Sequence, residues 1–94
     1  MGAALPVVWT PAARDDLRRS LEYLLPLNPL AALALAERLE QAAEKLGMMP
    51  LRGRPGRAAG TRELLATWPY IIVYEATAKE VRILRLWHGA QQRD

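Results

Sequence analysis

Two short residue pairs, Thr10-Pro11 and Asn28-Pro29, constrain this chain more than anything else in it. Each sets a capping side chain directly before a proline. The cap accepts from the free N–H groups of a first helical turn, and proline's fixed φ suits the first helical position. Helices therefore open at Pro11 and Pro29. Ala13, Leu17, Leu21 and Leu24 form one apolar face of the first helix, at i, i+4, i+8 and i+11. Arg14, Asp15, Arg18, Arg19 and Glu22 take the opposite face, Asp15 and Asp16 adjoin on the helix surface, and Pro26 ends the helix. Leu35, Leu39, Ala42 and Leu46 form the apolar face of the second, flanked by Ala32, Ala36 and Ala43. Gly47 is its expected C-cap. So few residues join the two helices that they must fold back as an antiparallel hairpin.

The rest of the chain reads as loop and strand. Residues 47–60 hold Pro50, Gly53, Pro55, Gly56 and Gly60, and are expected to form a loop. Val7-Val8-Trp9, Thr61 to Ala66, Tyr70 to Glu75 and Val81 to Trp87 are β-prone. Short turns at Thr67-Trp68-Pro69 and Ala76 to Lys79 make the last three strands an antiparallel meander. Val81, Ile83 and Trp87 lie on one parity of the final strand, Leu84 and Leu86 on the other. That pattern predicts a central strand at least partly covered on both faces. The order is β-α-α-β-β-β, an α+β fold with an antiparallel sheet packed by an antiparallel helical hairpin. Residues 1–94 are read as one domain.

Composition removes most chemistry. There is no cysteine and one histidine, so zinc clusters, thiol nucleophiles and iron–sulfur sites have no ligands. No metal site and no cofactor is expected. Ser20, the lone serine, sits in a helix, and Gly53-Arg54-Pro55-Gly56 lacks the strand–glycines–helix setting of a phosphate loop. The longest uncharged stretch, Tyr23 to Ala36, is broken by Pro26, Asn28 and Pro29 and is too short to span a bilayer. Met1 to Val8 has no basic start and too short an apolar run for a signal peptide. The chain is therefore read as cytoplasmic, without a membrane partner.

Charge is uneven. The net charge is +3, with 13 basic and 10 acidic side chains. Arg52, Arg54, Arg57 and Arg62 crowd a stretch that holds no acid before Glu63. Arginine's planar fork suits phosphate and carboxylate, so Arg52, Arg54 and Arg57 are candidates for contact with RNA or an acidic protein. Arg85 lies within an apolar strand and needs a partner, for which Glu63 or Glu75 is the expected carboxylate. That pair would be structural. His88 ends the strand, and histidine's ordinary pKa near neutrality makes it a candidate acid–base group. The alternative is a strand-end histidine bonded to a backbone carbonyl.

These residues converge on a known pattern. Trp9-Thr10-Pro11-Ala12-Ala13, Gly60-Thr61-Arg62-Glu63-Leu64, Pro69 to Tyr74 and Val81 to Ala90 together resemble the RelE/ParE superfamily of bacterial type II toxins. The resemblance covers nearly the whole chain. It implies a toxin that inhibits growth and is neutralised by a cognate antitoxin, with operator DNA bound only through that antitoxin. It also implies two alternative targets. RelE-like members cleave ribosome-bound mRNA without metal, which here would assign His88, Arg85 and Arg62 to catalysis. ParE-like members block DNA gyrase and are not enzymes. The chain departs from the RelE pattern at Leu64-Leu65-Ala66 and Ala90-Gln91-Gln92, where RelE carries basic residues. Ribosome-bound mRNA stands first among these readings, gyrase second, and a degenerate toxin kept as a binding module third.

Overall fold

The computed structural model describes residues 3–89. Its elements run β1 (Val7–Trp9), α1 (Pro11–Leu24), α2 (Pro29–Met48), β2 (Arg54–Pro55), β3 (Arg62–Thr67), β4 (Tyr70–Ala76) and β5 (Val81–His88). Ala90-Gln91-Gln92 lie outside the described residues. Thr10 caps α1 by accepting from the Ala13 N–H at 3.3 Å. Its hydroxyl donates to the Ile83 carbonyl at 2.8 Å, so the same residue fastens the helix start to β5. Asn28 caps α2 by accepting from the Ala31 N–H at 3.1 Å.

The two helices lie on one face of the sheet. Ala13, Leu35, Leu39, Ala43 and Leu46 pack there against Ile72, Tyr74, Val81, Ile83 and Leu86. Fully burying a large apolar side chain stabilises by about 1.5–3 kcal/mol, so this layer carries the fold. The hairpin and the β3–β4–β5 meander agree with the sequence pattern.

Four details differ. The five strands lie in the order β1-β5-β4-β3-β2, and β1 runs parallel to β5 with Val7 opposite Val81. The sheet is therefore mixed, not antiparallel. No turn ties β1 to a neighbour, and the long helical connection permits a parallel edge. Second, the expected 47–60 loop contains β2, which pairs with β3 through Arg54–Glu63 and Pro55–Arg62. Proline is tolerated there because β2 is an edge. Third, Gly47 is not a cap. It is buried in the last turn of α2, where Leu5 N–H donates to its carbonyl at 2.9 Å and the Leu5 carbonyl occupies the place of a Cβ.

The fourth concerns the final strand. Val73 pairs with Arg85 and Tyr74 with Ile83, so Leu84 is an extra residue. This bulge exchanges the faces of everything after it. Val81, Ile83 and Leu86 all reach the helix-side core, while Arg82 and Arg85 are exposed. Apolar residues on both parities thus reflect a bulge, not burial on two faces. Arg85 does not share a face with Val81 and Ile83.

Candidate functional site

β1 ends at Trp9 and covers only the first three residues of β5. Beyond Ile83 the edge of β5 is taken over by α1. Asp16, 8% exposed, accepts from the Leu86 N–H at 2.9 Å. The same carboxylate receives Arg85 through Nε at 2.8 Å and Nη2 at 3.0 Å, and Arg19 at 3.2 Å. A side chain therefore replaces the missing strand. Burial pushes the Asp16 carboxyl up, but the bonds from Arg85 and the Leu86 N–H outweigh it and hold it below its ordinary range.

Arg85 was expected to pair with Glu63 or Glu75; Asp16 takes it instead. Glu75 binds Arg82 at 3.2 Å. Glu63 lies across the sheet, 5% exposed, beneath the arginine loop. It meets Arg54 at 3.4 Å and accepts from the Arg57 backbone N–H at 3.3 Å. Asp16 did not stand out in the sequence, though a signal existed. Ala13, Asp16 and Ser20 are spaced i, i+3, i+7, which puts the aspartate beside the apolar face and not opposite it.

A cleft of about 610 Å³ opens between α1 and the end of β5. Arg85 and His88 both line it, with Asp16, Arg19, Tyr23 and Tyr70. The His88 ring meets Tyr70 edge-on, with centroids 5.2 Å apart. His88 Nδ1 is buried and has no hydrogen-bond partner among the described residues, none of which supplies the alternative's backbone carbonyl. Arg62 does not line this cleft. It donates to the Gly53 carbonyl at 2.7 Å and the Leu51 carbonyl at 3.4 Å. The three residues assigned to catalysis are thus divided, two in the cleft and one bracing a loop.

That loop is set by a buried tyrosine. Tyr74 is fully buried, donates to the Pro50 carbonyl at 2.8 Å and accepts from the Gly53 N–H at 2.8 Å. A Cβ at Gly53 would stand 2.8 Å from the Tyr74 ring and 2.9 Å from the Glu63 carbonyl, so only glycine fits. Arg52 and Arg54 come to line a cleft beside the exposed Trp68, while Arg57 is anchored over Glu63 by its own N–H.

A third depression, of about 630 Å³, separates α1 from α2. Val7, Trp9, Leu17, Leu21 and Ala43 form its apolar surface. Arg14 and Arg18 stand along α1, with Glu40 and Glu44 along α2. Among the described residues no helix is long and apolar enough to cross a membrane.

A family model described as ParE toxin of type II toxin-antitoxin system, parDE, matches residues 7–93. Toxin RelE2 of Caulobacter vibrioides is 41% identical over 85 residues, spanning 90% of this chain and 96% of that protein. Toxin RelE1 of the same organism is 34% identical over 84 residues, spanning 86% and 89%. A chain of the chromosomal ParDE system from P. aeruginosa superposes with a TM-score of 0.81 at 26% identity, covering 90% of this chain and 96% of its own. A chain of the RelBE2 toxin-antitoxin complex from Mycobacterium tuberculosis gives 0.64 at 29% identity, covering 92% and 99%. The matches take in both helices and the sheet they cover, and the chain belongs to the ParE toxin family of type II toxin–antitoxin systems, within the RelE/ParE superfamily.

Proposed function

We propose that this toxin, acting in the cytoplasm as a single domain, inhibits DNA gyrase by binding it and is not a nuclease. One observation carries the reading: the buried carboxylate of the α1–β5 cleft is committed to Arg85 and the Leu86 N–H, and not to His88. A histidine base needs its second nitrogen held by an acceptor, which fixes the tautomer and stabilises the imidazolium. His88 Nδ1 has none. Phosphoryl transfer also needs cations free to meet developing charge. Arg85 is neutralised by Asp16, and Arg62 is tied to two carbonyls.

The α1–α2 groove supports a second element of the proposal, a docking site for the cognate antitoxin. An amphipathic helix fits it, with an apolar stripe on Trp9, Leu17 and Leu21. Acidic residues on one flank of that helix would face Arg14, since Arg18 is already paired with Asp15 and Glu22. Basic residues on the other would face Glu40 and Glu44. Cleavage of ribosome-bound mRNA is the second reading, favoured by the placing of Arg85, His88 and Tyr70 around one cleft.

Purified toxin would be added in parallel to a gyrase supercoiling assay and to ribosomes programmed with a defined mRNA. Lost supercoiling with an intact message is expected, reversed by antitoxin. Discrete, ribosome-dependent cuts that disappear in His88→Ala would replace the gyrase reading with the nuclease.

A further inference from the structure

We propose that the cleft between α2 and β3 binds the phosphodiester backbone of a nucleic acid directly. Among the described residues Arg38, Lys45 and Arg52 line it with Gln41, and no carboxylate does. None of these three cations is in an ion pair among the described residues. The contrast with α1 is informative. There Arg18 and Arg19 are both matched by Asp15, Asp16 or Glu22.

The charges of α2 are sorted between its two flanks. Glu40 and Glu44 line the groove toward α1, while Arg38 and Lys45 line the cleft toward β3. Arg38 and Lys45 are seven residues apart, two turns on one face, or about 10 Å at 1.5 Å per residue. One strand of nucleic acid advances about 3.4 Å per nucleotide. The Arg38–Lys45 spacing exceeds one nucleotide step, so the two cations can meet different phosphates of one strand. Arg52 extends the row into the adjoining cleft, where Trp68 is 72% exposed and offers a stacking surface.

Size argues against an enclosed ligand. The cleft holds about 200 Å³, below the roughly 300–1,000 Å³ of sites that bury a small molecule. A backbone lying across it needs only the charges at its rim. Paired phosphate oxygens also fit the guanidinium forks of Arg38 and Arg52. The cleft is separate from the groove and from the α1–β5 cleft, so a negative result here leaves the proposed target and the antitoxin site where they stand.

The test is fluorescence anisotropy of labelled oligomers of about twelve nucleotides, as single-stranded RNA, single-stranded DNA and duplex DNA, titrated with full-length toxin across about 50–200 mM salt. Three phosphate contacts predict a log–log salt slope near about −2 on a single strand. Arg38→Ala with Lys45→Ala is expected to weaken binding about tenfold or more and to remove about 1.4 from that slope. Arg82→Ala, which removes a cation on the far side of the sheet, should leave the slope unchanged. All three substituted positions are exposed, and circular dichroism checks that each variant is folded. The preferred oligomer identifies the source of the phosphate. An unchanged slope in the double variant overturns the site. Equal or tighter binding of labelled polyglutamate also overturns it, in favour of an acidic protein partner.

Discussion

Replacing Asp16 should unfasten the end of β5, and the cost can be worked from its contacts. In Asp16→Ala the Leu86 N–H loses its acceptor, which costs about 1–3 kcal/mol for a buried donor. The ion pair adds less. Breaking one side of a fully buried pair costs about 3–5 kcal/mol, whereas an exposed pair is worth about 0–1 kcal/mol. The Arg85 side chain is 48% exposed against 7% for Asp16, so the freed guanidinium turns to water and the pair sits near the lower limit. The sum is about 3 kcal/mol. Asp16→Asn keeps an oxygen for the Leu86 N–H and should cost about 1 kcal/mol; Arg85→Ala leaves the carboxylate to Arg19 and the Leu86 N–H and should cost about the same.

Urea unfolding measures these differences. With an m-value near ~1.2 kcal/mol/M, Asp16→Ala lowers the midpoint by about 2.5 M and Asp16→Asn by less than about 1 M. The pH dependence has a definite sign. Asp16 has a lowered pKa in the fold. Its stabilisation is therefore complete above the unfolded value of about 3.9 and is lost as pH falls through the folded value. The gap between the native chain and Asp16→Asn should be full at neutrality and close below about pH 4. If Arg85→Ala proves as costly as Asp16→Ala, the ion pair and not the backbone N–H holds β5, and the argument fails.

His88→Ala should stay fully toxic when induced in cells without antitoxin; a loss of about 10²-fold in activity with the fold intact would restore an acid–base role. Glu40→Lys combined with Glu44→Lys should weaken antitoxin binding about tenfold or more by calorimetry while toxicity persists, and unchanged affinity would place the antitoxin elsewhere. Tyr74→Phe strips a donor from the Pro50 carbonyl and an acceptor from the Gly53 N–H. It should cost about 1–2 kcal/mol and speed hydrogen exchange at Gly53, which unaltered exchange would contradict. Gly47→Ala drives a methyl into the Leu5 carbonyl and should cost about 1–3 kcal/mol by thermal melting, with little change if the N-terminal segment moves aside freely.

Both helices, their N-caps and the three-strand meander were legible because each is decided locally. Thr10-Pro11 and Asn28-Pro29 act within one turn, and apolar spacing reports the buried face of whatever element it lies on. The same local logic misread β5. A bulge at Leu84 and burial on two faces leave one sequence pattern, and only pairing with β4 separates them. Gly47 likewise looks like a cap until the Leu5 carbonyl occupies its Cβ position. Neither event is encoded in neighbouring residues.

The candidate site was legible in composition and hidden in connection. From residues alone one can conclude that Arg85 needs a carboxylate, that an arginine-rich loop precedes β3, and that one histidine ends the last strand. Which carboxylate answers Arg85 depends on where β1 stops, because the uncovered edge of β5 leaves the Leu86 N–H for α1 to satisfy. That edge exists only once the sheet is assembled. The sequence by itself determined the elements, their order and the superfamily pattern, since these follow from short-range propensity and spacing. Tertiary structure alone decided the parallel edge, the partner of each arginine and the four clefts, since those depend on contacts between residues as far apart as Asp16 and Leu86.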